Sequence, residues 1–120
     1  MAIEFRTVTF KVDSVPMAAP TEVMENFYLK GKVRRIDGRP VMNVALQSFS
    51  VEVLENGNPS HTFMSLDKVS VESVTPASSE YDGCIKLTIW RRNHPDTSKL
   101  VNWRFKYTVT ALVIADIVSA

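Results

Sequence analysis

The chain is poor in the residues that most often carry chemistry. Its 120 residues include one cysteine, Cys84, and two histidines, His61 and His94. A lone cysteine closes no intrachain disulfide, so a core or oligomerisation must supply the stability that bridges give many small secreted domains. Cys84, beside Ile85 in an apolar stretch, reads as a small packed side chain. Neither histidine stands near cysteines or carboxylates at a zinc-binding spacing, so both read as solvated loop residues. The four glycines form no phosphate-binding loop, and no GxSxG or other nucleophile motif occurs. The carboxylate pairs Glu52/Glu55 and Glu80/Asp82 lie near turns and read as solvated. The sequence therefore implies no catalytic residues, no metal and no cofactor, and the protein is not expected to be an enzyme.

Net charge is also nearly missing. Fourteen basic residues face 13 acidic ones, a formal +1. A dedicated nucleic-acid binder usually carries a large basic excess, so the balance argues against nucleic acid as a partner. No apolar run is long. Val109 to Val118 is interrupted by Thr110 and Asp116 and is about half of what a membrane-spanning helix needs. Membrane insertion is not expected. Met1-Ala2-Ile3-Glu4-Phe5-Arg6 lacks the basic-then-apolar order of a signal peptide. The expectation is a soluble protein made in the cytoplasm, for which release as part of a particle would leave no mark in the sequence.

What the chain does have is strand patterning. With 45% hydrophobic residues, 120 residues suit a single domain spanning 1–120. Six strand-like segments are separated by turn chemistry. The first, Ile3 to Val12, changes apolar phase midway, from Ile3 and Phe5 to Val8, Phe10 and Val12. Asp13 to Pro20 is irregular, and Thr21 to Asn26 predicts a turn of helix capped by Thr21. The second strand is Phe27 to Ile36. Asp37-Gly38 predicts a hairpin into the third, Pro40 to Leu54. In that strand the shift from Val44 and Leu46 to Phe49, Val51 and Val53 predicts a bulge near Gln47-Ser48. Glu55 to Pro59 is a turn. The fourth strand is His61 to Val74, with a break near Asp67-Lys68, and the fifth is Cys84 to Arg92, with Ile85, Leu87 and Ile89 inward. The sixth is Leu100 to Ile117. Valine, isoleucine, threonine and aromatics fill these segments, as pleated packing prefers. No segment of helical length shows a convincing 3.6 period. The predicted fold is all-β, an antiparallel β-sandwich of about six strands.

The sixth strand changes character along its length. Trp103, Phe105, Tyr107 and Val109 alternate with polar residues, as a strand with one wet face does. Ala111-Leu112-Val113-Ile114-Ala115 is then apolar throughout, as a strand covered on both faces is. A second subunit would supply that cover, which predicts a homo-oligomer. The alternative cover is the chain's own segment Asp13 to Asn26.

Two surface groups invite a ligand. Lys30, Lys32 and Arg34 alternate on the predicted second strand, with Tyr28 at one end and Arg39 beyond the turn. Arg104 and Lys106 form a similar pair on the last strand. Such faces suit anionic glycans, nucleic acid or an acidic protein, or are simply solvated. The densest polar-plus-aromatic cluster is Trp90 to Thr97. Trp90 follows the inward Ile89 and so points outward, where its ring could stack on a pyranose while Arg92, His94 and Asp96 fix hydroxyls. The opposing reading packs Trp90 in a second layer or a subunit interface.

Several stretches resemble an H-type lectin domain, the family of snail agglutinin and discoidin C-terminal domains. They are Val44-Ala45-Leu46-Gln47-Ser48-Phe49-Ser50, Val71-Glu72-Ser73-Val74-Thr75, Gly83 to Trp90, Asp96-Thr97 and Val101-Asn102-Trp103. Their order and approximate spacing agree over Val41 to Val113. The resemblance implies a six-stranded sandwich that forms trimers, so a trimer or a multiple of it is favoured. It does not imply the family's N-acetylgalactosamine specificity. The family places an aspartate and an arginine in the turn after its long early strand, and here that turn reads Glu55-Asn56-Gly57-Asn58-Pro59-Ser60-His61. The leading expectation is thus a non-enzymatic, oligomeric binding module, lectin-like, recognising glycans or a cell surface. The alternative is a structural assembly subunit of a phage or virus-like particle, with no small-molecule ligand.

Overall fold

The computed structural model describes residues 2–16, 19–55, 65–93 and 104–119. Among these residues every long element is a strand: β1 (Ala2–Pro16), β2 (Thr21–Phe27), β6 (Met42–Glu55), β7 (Ser65–Val74), β8 (Gly83–Asn93) and β9 (Arg104–Ser119). Three two-residue strands, β3 (Lys32–Val33), β4 (Arg35–Ile36) and β5 (Arg39–Pro40), complete the set. The fold is all-β, and all strand pairs are antiparallel. No helix among the described residues is long and apolar enough to cross a membrane.

Two sheets hold the long strands. In the first, β9 runs between β1 on one side and β6 and β3 on the other. In the second, β8 runs between β2 and β7. At about 3.4 Å per residue, the length of β9 accounts for the 54 Å long dimension of the molecule. Odd-numbered β9 residues from Phe105 to Ile117 are buried, and even-numbered ones from Lys106 to Val118 are half-exposed. Ile85, Leu87 and Ile89 of β8, all at 0% exposure, join Phe105, Tyr107, Val109 and Val113 of β9 in one apolar cluster. Val8, Phe10 and Val15 of β1 and Phe27 of β2 close it. Each such side chain contributes roughly 1.5–3 kcal/mol on burial, so this shared cluster holds the sheets together.

Several sequence expectations meet the structure directly. The bulge falls between Leu46 and Ser48 in β6, as the phase shift predicts. Asp37-Gly38 closes the β4–β5 hairpin with φ of 53° and 78°, the two left-handed residues of a type I′ turn. The phase change in β1 has a different cause from a break. Pairing with β9 is regular from Ala2 to Val12, so Ile3 and Phe5 lie on one face and Val8, Phe10 and Val12 on the other. The register shift comes later, between Val12 and Val15.

The expected strand Phe27 to Ile36 does not form as one piece. Thr21 to Asn26, read as a helical turn, is instead most of β2, which ends at Phe27. Its alternation of Thr21 and Val23 with Glu22 and Met24 suits an edge strand against β8, and Val23 packs on the core. The chain then leaves the sheet over residues 28–31. Glu4 fastens this excursion: both carboxylate oxygens accept from the Lys30 N–H at 2.9 Å, and one also accepts from the Gly31 N–H at 3.2 Å. Asp82 takes the Leu29 N–H at 2.6 Å. The expected break near Asp67-Lys68 is also absent, because β7 pairs with β8 without a shift from Ser65 to Val74. The turn Asn56 to Pro59, His61 and the Leu100 start of the last strand lie outside the described residues.

Candidate functional site

The sheet faces turned away from the shared core differ sharply. On the β2–β8–β7 sheet, Lys86 stands between Glu22 and Glu72, at 3.3 and 3.6 Å. The hydrogen bond and charge of Glu22 hold the Lys86 ammonium above its ordinary pKa. Thr88, Ser70 and Lys68 continue this polar face. Met24 opposite Lys86 and Trp90 opposite Lys68 are the apolar residues set among these polar ones.

The outer face of the β1–β9–β6 sheet has another composition. Register places Ile3, Phe5, Thr7 and Thr9 of β1 beside Asp116, Ile114, Leu112 and Thr110 of β9. Asn43, Ala45 and Ser48 of β6 flank the same β9 residues on the other side. Ile3 and Phe5 are 61% and 64% exposed. Thr9 and Thr110 share a hydroxyl contact at 3.5 Å. Across three strands, this stretch has one charge, Asp116, and the Arg34 Nε pairs with it at 3.1 Å. Lys11, Lys106 and Glu52 lie beyond the other end. The stretch is thus apolar and hydroxyl-bearing at its centre and charged towards its ends.

Within one chain, Ala111 to Ala115 is fully covered on one face only. Ala111, Val113 and Ala115 are buried at 0–1%, whereas Leu112 and Ile114 are only half-buried within one chain. The described residues of Asp13 to Asn26 do not provide the second cover: the first continue β1, and the last form β2 of the other sheet. The sequence reading missed Ile3 and Phe5 as surface residues. The signal was their odd phase against Val8 and Phe10, which marks a strand with apolar residues on both faces.

The sequence-derived ligand residues are only partly brought together. Trp90 lies opposite Lys68 in the β7–β8 ladder, half-buried and on the face away from Ile89. Arg92 pairs with Leu66 two residues further along the same ladder. The Arg92 side chain, and His94, Asp96 and Trp103 as a whole, lie outside the described residues. The basic stripe does not form a strand face. Lys32 is in two-residue β3, Lys30 belongs to the loop held by Glu4, and Arg34 is paired with Asp116. Tyr28 packs its ring on Tyr81, centroids 5.2 Å apart. Removal from water, then the charges of Glu80 and Tyr81, raise the Tyr28 hydroxyl above its ordinary pKa. Cys84 is buried, and that burial pushes its thiol up, the opposite of an activated nucleophile. No group of three metal-ligating side chains occurs among the described residues.

Comparison with protein families, curated proteins and solved structures returns no match for this chain.

Proposed function

We propose that the chain is a non-enzymatic β-sandwich subunit that assembles with copies of itself through the outer face of its β1–β9–β6 sheet, as a structural component does. The observation that carries this reading is the uncharged, partly apolar stretch around Phe5, Leu112 and Ile114, set against the ion-paired outer face of the other sheet. Area supports it. The whole outer face, three strands about 4.8 Å apart and some fourteen residues long at about 3.4 Å, is roughly 690 Å² in projection, and the uncharged stretch from Ile3 to Thr9 is about half of it. A stable interface needs about 800 Å² of accessible surface per partner, which a corrugated face of that projection approaches. A second copy offers the same face, so the contact is self-complementary and pairwise. That favours even-numbered assemblies over the trimer implied by the lectin resemblance. Mass in solution, measured by sedimentation from 0.1 to 100 µM (concentrations set by the about micromolar range of ordinary subunit contacts), tests it. A monomer throughout overturns the reading.

A lectin-like module is the second reading, favoured by the placement of Trp90 outside the shared core, opposite Lys68 on the outward face of its sheet. On that reading Trp90→Ala abolishes a signal on a glycan array and leaves the assembly mass unchanged.

A further inference from the structure

The layout of charge on the outer face of the β1–β9–β6 sheet distinguishes between the ways two copies can lie on one another. Sheets packed face to face keep their strand directions within about 30° of each other. A two-fold axis in the contact plane therefore runs either along β9 or across it. An axis along β9 sets each β9 residue over its own counterpart. Asp116 then lies over Asp116 and Lys106 over Lys106, so like charges meet at both ends, with Arg34 offsetting only the first. Phe5 lies over Asn43 of the second copy, because both pair with Ile114. A phenylalanine ring 64% exposed in the single chain would meet an amide.

An axis across the strands, over Val113, gives a different match. β1 then faces β1, β9 faces β9 and β6 faces β6, each running in reverse. The row Phe5, Ile114 and Asn43 lies over the row Thr7, Leu112 and Ala45 of the second copy. Two residues along a strand span about 6.8 Å, so the Phe5 rings of the two copies stand side by side at the spacing of aromatic pairs. Ile3 and Asp116 lie over Thr9 and Thr110, whose hydroxyls can donate to the carboxylate. Lys106 and Glu52 fall beyond Ser119, where β9 of the second copy ends, and stay in water.

We propose that two copies join by this antiparallel two-fold contact, centred on Leu112 and Ile114, which buries the apolar rows and leaves the charged ends free. The arrangement rests on the self-assembly reading and adds the partner's orientation to it. It closes the pair on this face and turns the outer face of both β2–β8–β7 sheets, with Trp90, to solvent.

A spin label on Lys106→Cys reads the orientation. The buried Cys84 takes no label in the folded chain, and the wild-type chain is the control. Lys106 is half-exposed and lies outside the contact, so the variant associates as the wild type does. In the antiparallel pair the two labels lie roughly 14 residue steps apart along the strands, about 50 Å, against about 10 Å for an axis along β9. Glu52→Cys, at the same level on β6, gives the same long distance in the antiparallel pair and about 14 Å in the other. A separation below about 40 Å, well short of that strand-length spacing, in a chain whose sedimentation shows association, overturns the antiparallel contact and leaves self-assembly standing. A monomer at every concentration overturns self-assembly itself, and this orientation with it.

Discussion

Replacing Phe5 by glutamate separates association from folding. Phe5 is 64% exposed in the single chain. If a phenylalanine presents about 200 Å², some 130 Å² remains to be buried by a partner. At about 25 cal/mol per Å², that is about 3 kcal/mol per copy. A two-fold contact uses the residue twice, which gives about 6 kcal/mol, or about 10⁴ in the dissociation constant. Association recovers only part of such area-based energy, because ordering and desolvation oppose it. Half the figure still weakens a dimer about a hundredfold. The charge adds to the loss, since two glutamates would face a centre without cations. Folding of the single chain should change little, because surface substitutions usually shift stability by about 0.5 kcal/mol or less. Sedimentation across a hundred- to thousandfold range of concentration (roughly the predicted change in affinity) reads the first effect. Thermal unfolding at the lowest concentration reads the second, where mass action contributes least. Wild-type and variant chains that associate equally would refute the interface. A variant that cannot fold would show that Phe5 belongs to the core, against its exposure.

Three further outcomes follow from packing and hydrogen bonding. A Cβ on Gly83 would press into the Phe27 ring, which is itself 2% exposed, so Gly83→Ala should cost about 1–3 kcal/mol in denaturant unfolding; Phe27→Leu in the same chain should recover part of it, a non-additivity expected of touching residues. Glu4→Ala removes the acceptor for the Lys30 and Gly31 amides, which should cost about 1 kcal/mol and speed hydrogen exchange at those two amides while β8 amides stay protected. The Cys84 thiol is raised by burial in the folded chain, so the unfolded chain loses its proton first: its contribution to stability is complete below about pH 9 and declines above it. Cys84→Ala should flatten that alkaline decline, and the native thiol should resist alkylation at pH 8 until the chain is unfolded, the test pH lying within about a unit of the ordinary thiol pKa.

How much of this was legible in the sequence depended on how local the cause was. The Asp37-Gly38 turn and the β6 bulge are set by neighbouring residues, through left-handed conformations and a phase shift, and both were read where they occur. The inward set Ile85, Leu87 and Ile89 follows from alternation alone. The segment Thr21 to Ile36 was misread because its cause is distant: Glu4 and Asp82 take the backbone amides of residues 29–31, and no pattern near residue 30 announces a carboxylate from β1. The basic stripe failed for the same reason, since one long strand was its premise. A cavity beside Arg35 has no local signal because it joins residues 35–42, from the β4–β5 hairpin and the start of β6, to residues 73–82 of a third sheet and its following turn.

The last strand shows what periodicity alone does not resolve. A continuous apolar run has the same appearance whether both faces are packed in one chain or one face waits for another. Neighbours across the ladder separate the cases. For β8, the central strand of its sheet, the outward positions are Lys86, Thr88 and Trp90, and the exposed Met24 and the charged Glu22, Glu72 and Lys68 stand beside them, so the apolar residues of that face stand singly among charges. For β9, the outward positions Leu112 and Ile114 meet Thr7 and Phe5 on one side and Ala45 and Asn43 on the other. None of these six carries a charge, and water is a poor partner for the apolar ones. Two strands far apart in sequence, the first and the last, thus place their unmatched apolar residues side by side. Random surface leucines would scatter singly; alignment in register across β1 and β9 makes a continuous face, and a continuous face is what a second copy can cover.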